Sequence, residues 1–339
     1  MSKIKIGFIG CGKQAGKHIA SLLKIPNVAL VLGDIDKSLA KDLAEKNKVS
    51  WVDDPNDIFE DDGIMAVVIC TPTQTHASLI TNALQARKHI LCEKPLCDSM
   101  EEALALQKIE KQSEQIVLVG YVYRYVPIFE EGHKIIHQQQ INGESLVLGR
   151  PLSAFFRLGG RGGHQVWKHQ KASGGGAINE MLVHMLDLAN WYFGPLTNIE
   201  VISCDLRSPE RYVNGEKVGV DAEDHIWIRC LGCNEIEIFC QADLITPAFS
   251  QFVEIQGENG SFMGSIQSDI PSFVFLKESR GGYNTGKTEL RFGRRNVFDI
   301  QMMSFIQAVL RREAPDRNTI DDSLVLMHIL GEIRKQVAI

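Results

Sequence analysis

A lysine held between a glutamate and a proline closes an apolar run, where His89-Ile90-Leu91-Cys92 leads into Glu93-Lys94-Pro95. Moving an ammonium out of water costs several kcal/mol, and proline removes a backbone donor and fixes its own φ. The strand must stop here and Lys94 must take a defined position, unless the lysine is simply a solvated strand end. A second set of titratable residues lies in Gly174-Gly-Gly-Ala-Ile-Asn179-Glu180-Met-Leu-Val-His184-Met-Leu-Asp187. Glu180 and His184 are four apart and share one face of a helix. Three preceding glycines allow close approach of a ligand and unusual backbone angles. Oxidising a secondary alcohol needs a group that takes the hydroxyl proton as hydride leaves carbon, and an imidazole suits that near neutral pH. A neighbouring carboxylate holds the ring and stabilises its protonated form. An ordinary amphipathic helix with a satisfied His184 gives the same pattern.

A third constellation opens the chain. Gly7-Phe-Ile-Gly10-Cys-Gly12-Lys13-Gln14-Ala15 follows a strand pattern and begins a helical one. Read as G-x-G-x-x-A, Gly10 makes the tight turn, Gly12 admits a pyrophosphate and Ala15 permits close helix packing. The next strand ends Val31-Leu32-Gly33-Asp34-Ile35. An acidic side chain there accepts from a ribose 2′-OH and repels a 2′-phosphate, which selects NAD over NADP. The competing role for Asp34 is a helix cap, but Asp36 fits that position. The dinucleotide contacts expected are Gly10, Gly12, Lys13, Gln14, Asp34, Ile35, Thr71, Pro72, Thr73, His76, Glu93 and Lys94. For His76 a structural role fits equally well.

These residues need a scaffold. Up to about residue 120, near-continuous apolar runs (3–9, 28–32, 64–70, 89–92, 116–119) alternate with helical stretches (13–24, 38–46, 75–86, 99–111), predicting a parallel sheet buried on both faces. This is a doubly wound α/β nucleotide-binding domain, with its boundary placed at 123. Over 124–339 the pattern becomes α+β. A helix (128–139) and a strand-like run (145–158) precede a Gly-rich loop and a strong helix (177–193). Six strands follow at short spacing (199–206, 225–229, 236–242, 252–257, 261–266, 273–276), predicting a largely antiparallel sheet. Two closing helices (298–311 and 321–336) end the chain, the second opening on Asp321-Asp322.

With 339 residues, 44% apolar and 23% charged, the chain reads as a soluble two-domain protein. A formal net charge of −6 offers no basic surface for nucleic acid. No apolar run approaches the ~20 residues that span a bilayer. The N-terminus runs straight into a strand pattern without signal-peptide architecture, and the eight scattered cysteines suit reduced thiols, so a cytoplasmic location is expected. Cys230-Leu-Gly-Cys233 has zinc-like spacing but no second pair or histidine partner, so a hairpin turn is expected and no metal.

Taken in order, the G-x-G-x-x-A turn, Thr71-Pro72-Thr73-x-x-His76, Cys92-Glu93-Lys94-Pro95, Gly120-Tyr-Val-Tyr-Arg124-Tyr-Val-Pro127, the Gly174–Asp187 segment and Val253–Phe262 resemble the Gfo/Idh/MocA family over nearly the whole chain. The resemblance implies a nicotinamide-dependent oxidoreductase acting on a sugar, polyol or derivative. It also implies an open antiparallel sheet that pairs copies into dimers or tetramers. Lys94 and His184 match the family's catalytic pair, with Glu180 the carboxylate one turn earlier, and the bond to Pro95 is expected to be cis. Substrate contacts are expected from Arg124, Arg157, Trp167, Asn179, Glu180 and His184. Glu180 stands where aspartate is commoner, Leu182 where glycine is frequent and Val122 where asparagine is frequent. These departures bear on the substrate more than on the reaction type. The basic loop from Arg157 through Arg161, His164, Trp167 and Lys168 to Lys171 has the composition of a clamp for a phosphate or carboxylate, with a solvated loop as the alternative. Two other activities stay open: a redox-neutral lyase or glycosidase that re-reduces its own NAD, and an NAD(H)-responsive binding protein.

Overall fold

The computed structural model describes residues 4–137, 146–160, 165–213, 215–293, 295–313, 315 and 317–337. Its first elements are β1 (Ile4–Ile9), α1 (Lys13–Leu22), β2 (Val28–Gly33), α2 (Lys37–Asn47), β3 (Ser50–Trp51), α3 (Asp57–Glu60), β4 (Ile64–Ile69), α4 (His76–Gln85), β5 (His89–Cys92), α5 (Met100–Glu110) and β6 (Val117–Val119). The six strands pair in parallel in the order β3-β2-β1-β4-β5-β6, so the strand order reverses between β1 and β4. Ligands of such sheets bind outside the carboxyl ends of the strands at that reversal. Ile6, Phe8, Leu32, Val68, Leu91 and Leu118 are buried at 3% exposure or less, because helices cover both faces. β3 and α3 were not expected; at two and four residues they are too short for periodicity to reveal.

The second set begins with α6 (Pro127–His137), β7 (Pro151–Gly159) and α7 (Val183–Phe193). It continues with β8 (Thr197–Asp205), β9 (Glu210–Val213), β10 (Glu216–Gly219), β11 (His225–Leu231), β12 (Glu237–Asp243), β13 (Ser250–Gly257), β14 (Gly260–Ser265), β15 (Phe273–Leu276) and β16 (Gly286–Glu289). Eight strands form one sheet in the order β16-β15-β14-β13-β7-β12-β11-β8. Every pairing in it is antiparallel except β7 with β12. Burial alternates along the strands: Ala154, Phe156 and Leu158 are buried while Phe155 and Arg157 between them are half-buried. β9 and β10 make a separate hairpin. β11 and β12 are the hairpin expected around Cys230 and Cys233, turned by Asn234 at φ 59°.

Two helices close the chain, α8 (Val297–Arg311) and α9 (Ile320–Gln336). The chain divides into two units, Met1–Val122 with Arg295–Met327, and Tyr123–Arg294 with His328–Ile339. α8 packs on α1 in the first unit, where Lys24 Nζ meets the Asp299 carboxylate at 2.7 Å and Phe305 is fully buried. Asn318 finishes β6, its amide donating to the carbonyls of Val119 and Tyr121. All eight cysteines are unpaired. Among the described residues no helix is long and apolar enough to cross a membrane.

Candidate active site

Gly10 sits at φ +92°, and a Cβ there would lie 2.7 Å from the Cys70 backbone, so the turn between β1 and α1 requires glycine. Gly12 immediately precedes α1, which has no side-chain cap and no acidic residue in its first turn. Its first N–H groups and the positive end of its dipole therefore lack a side-chain acceptor, the arrangement that receives a pyrophosphate. Lys13 is exposed beside it. Asp34 follows β2, one carboxylate oxygen accepting from Cys11 N at 2.6 Å and the other from Asp36 N at 2.8 Å. Asp36 caps α2 by accepting from Ser38 N, which leaves Asp34 clear of the capping role. Ile35 is 96% exposed. Burial, then the Asp34 charge, pushes the Cys11 thiol up to about 12, so it is a protonated, unreactive neighbour of this turn.

Thr71, Pro72 and Thr73 follow β4 at the same edge, with Thr71 Oγ1 accepting from Thr75. His76 is buried, its ring nitrogens 2.9 Å from the carbonyls of Pro95 and Thr71. A structural role was expected of His76 as readily as a cofactor contact, and these bonds tie the segment after β5 to the segment after β4. Lys94 is half-buried and the Lys94–Pro95 bond is cis.

Glu93 and Gln14 were also expected at the cofactor. They bond to each other: Gln14 Nε2 donates to Glu93 Oε1 at 2.9 Å, and His18 Nε2 donates to the same oxygen at 2.6 Å. Burial alone would raise the Glu93 carboxyl. The His18 hydrogen bond, the Gln14 amide and the Lys94 charge outweigh it and hold the group down at about 2.

In the second unit the helix expected over 177–193 starts as a π-turn, Ile178–Leu182, before α7. Such one-turn widenings recur at functional sites because they re-aim side chains. Gly176 precedes it at φ +107°, where a Cβ would lie 2.2 Å from the Glu223 carboxylate. That carboxylate accepts from Ile178 N at 3.0 Å, and the Glu223 carbonyl accepts from Ala177 N at 2.8 Å. Glu223 therefore anchors the helix start, and burial raises its carboxyl above the usual range.

Glu180 binds the ammonium of Lys168, which also lies 5.4 Å from the ring centre of the exposed Trp167. His184 packs on Tyr123, ring centroids 4.6 Å apart. Asn179 donates to Gly174 O and accepts from Arg334.

Two expected substrate contacts are occupied. Arg124 is buried and clasps Asp187 through Nε and Nη2 at 2.8–3.1 Å. Arg157 binds Asp243 and Thr246. A partner that lies far along the chain leaves no local sequence signal, which is why both looked available. Arg161 and His164 lie outside the described residues.

His18, Glu223 and the pairing of Lys168 with Glu180 were not anticipated. For His18 the spacing of four from Gln14 on a helix opening the dinucleotide turn was the available signal. For Glu223 there was none. Among the described residues no His, Cys, Asp or Glu cluster suits a metal ion.

A family model described as oxidoreductase family, NAD-binding Rossmann fold, matches residues 4–121, and one described as GFO/IDH/MocA C-terminal domain matches residues 144–263. An inositol 2-dehydrogenase of Rubrobacter xylanophilus is 35% identical over 330 residues, covering 92% of this chain and 85% of that one. A scyllo-inositol 2-dehydrogenase (NAD(+)) of Bacillus subtilis is 30% identical over 197 residues, covering 57% and 54%. Among solved structures, a levoglucosan dehydrogenase in complex with NADH and L-sorbose superposes with a TM-score of 0.87 at 21% identity, covering 100% of this chain and 97% of that one. That likeness is one of fold.

Proposed function

This chain belongs to the Gfo/Idh/MocA family of NAD-binding oxidoreductases, and on that premise we propose that it is an NAD-dependent dehydrogenase of a secondary hydroxyl on an uncharged sugar or polyol. The uncapped start of α1 and Asp34 suit the pyrophosphate and the 2′-OH of NAD. Gly10, Gly12, Lys13 and Thr71–Thr73 complete that surface, and Ile35 offers the adenine an exposed apolar face. When bound, NAD accepts the hydride. His184 takes the hydroxyl proton as the C–H bond breaks, leaving a ketone, and passes that proton to water. Lys94 polarises the reacting oxygen and relays its proton to His184. Asn179, Glu180 and Trp167 orient the substrate.

The observation that carries the substrate class is the Lys168–Glu180 pair. With Arg157 held by Asp243, two cations of the expected anion clamp already face carboxylates. A paired lysine and glutamate present balanced donors and acceptors, which suits hydroxyl groups better than a phosphate. The relatives named for inositol and levoglucosan point to the same kind of substrate.

We place the protein in the cytoplasm as a homodimer or homotetramer formed through the eight-stranded sheet. One face of that sheet carries Phe155, Trp227, Phe252 and Phe275, half-buried or exposed.

Purified protein tested with NAD and NADP against neutral polyols, free sugars and sugar phosphates should accumulate NADH with a neutral polyol. Preference for a sugar phosphate overturns the substrate class. Product without net NADH, from protein that carries its cofactor through purification, indicates the redox-neutral chemistry instead. In the same assay Lys94→Ala should abolish turnover and keep NAD binding.

A further inference from the structure

We infer that His18, with Gln14, is a positioning residue that acts through Glu93 on Lys94, bracing the lysine from the helix that opens the dinucleotide turn. Residues 14 and 18 are one helical turn apart on α1, and both donate to one oxygen of Glu93. The other oxygen accepts from the backbone N–H of Lys94 at 3.2 Å. The Glu93 N–H in turn donates to the Ile69 carbonyl at the end of β4.

An ionised carboxylate in this buried place is costly unless its lone pairs are filled, and the donors that fill them come from α1 and from Lys94 itself. The surroundings are fitted to the same group. A Cβ on Gly120, just after β6, would lie 3.1 Å from Glu93 Oε2. The His18 ring is fully buried and stands edge-on to Phe298 of α8 at 5.2 Å. The titratable neighbours of Glu93 are His18 from α1, Cys70 after β4, and Cys92 and Lys94 in its own segment.

One consequence follows for Lys94: its backbone is fixed relative to α1. The catalytic meaning rests on Lys94 meeting the reacting oxygen, as proposed above, whereas the brace itself is measurable without substrate.

The test compares full-length His18→Leu, His18→Gln, Glu93→Gln and Lys94→Ala proteins. Acetic anhydride labelling at fixed pH, followed by peptide mass spectrometry with exposed Lys13 as the internal standard, should modify Lys94 roughly threefold faster or more in His18→Leu and Glu93→Gln, because the half-buried lysine opens to reagent once its segment is released from α1. It should run near the wild-type rate in His18→Gln, whose amide replaces the Nε2 donor. In turnover, His18→Leu should lose about 10- to 100-fold in kcat with little change in KM, and His18→Gln should restore most of the loss.

If His18→Leu does not fold, Glu93→Gln, which keeps the shape and removes the charge, carries the labelling test. Wild-type labelling in every folded variant overturns the brace, as does a His18→Leu defect confined to KM. Full activity in Lys94→Ala overturns the role of Lys94 and leaves the labelling result standing, so the two failures are distinguishable.

Discussion

The proposed substrate class rests on the pairing of Lys168 with Glu180. Both side chains are mostly buried, and each lowers the cost of burying the other. Removing only the lysine should leave an uncompensated carboxylate, so Lys168→Met should lower kcat/KM for the polyol. Adding Glu180→Gln should then cost less than it does in the wild type, with a coupling of about 1–2 kcal/mol in a double-mutant cycle. Additive losses would show that the pair does not act as a unit. In the proposed reading Asp34 is the corresponding residue for the cofactor. Asp34→Ser should raise kcat/KM with NADP relative to NAD by removing repulsion of the 2′-phosphate, and an unchanged ratio would place cofactor selection elsewhere.

At the scale of elements, the start of the His184 helix is held by features other than helix propensity. Gly176 takes a backbone angle that L-residues avoid, and it leaves the space that the Glu223 carboxylate fills. Gly176→Ala should therefore cost roughly 1–3 kcal/mol in urea unfolding and lower kcat by disturbing the π-turn. A change in stability alone would separate the π-turn from function. One turn beyond His184, Asp187 ties α7 to the segment that begins at Tyr123 through Arg124. Arg124→Met should destabilise by about 3–5 kcal/mol, since it strands a buried carboxylate, and pairing it with Asp187→Leu should recover much of that loss.

The whole molecule should lose stability in stages on acidification. Burial, then the charge of Arg211, lowers His169; burial, then Arg207, lowers His225; burial, then Arg312, lowers His89. A histidine whose folded value is depressed binds its proton more readily when unfolded. Stability is thus full above the unfolded value of about 6.5 and declines as pH falls below it. Glu93, held at about 2, keeps its stabilising contribution above the ordinary glutamate range and loses it as pH falls from there toward about 2. The thermal midpoint should drop between pH 7.5 and 5.5, then again below pH 4.5. A midpoint that rises on acidification to pH 5.5 would contradict the histidine contribution.

Sequence by itself determined what depends on neighbours along the chain. Apolar runs of strand length separated by helical spacing made the parallel sheet legible, since burial on both faces removes alternation. The glycine turn and the strand ending at Cys92 were readable because backbone restriction is local, whereas the cis Lys94–Pro95 bond was expected only from the family resemblance. Very short elements were not readable: β3, β9, β10 and β16 exist by pairing with neighbours rather than by pattern. The π-turn that interrupts the Glu180–His184 spacing was also hidden, because it is held by Glu223, 45 residues away.

Only the tertiary structure decided which charges are spent. Glu93 meets His18 across 75 residues and Arg124 meets Asp187 across 63. A carboxylate or guanidinium looks equally available in any sequence until folding removes it from water, and burial then obliges it to take a partner. Lys94 was visible as a lysine beside a glutamate that needed a reason to be there; the fold supplied the histidine that holds that glutamate.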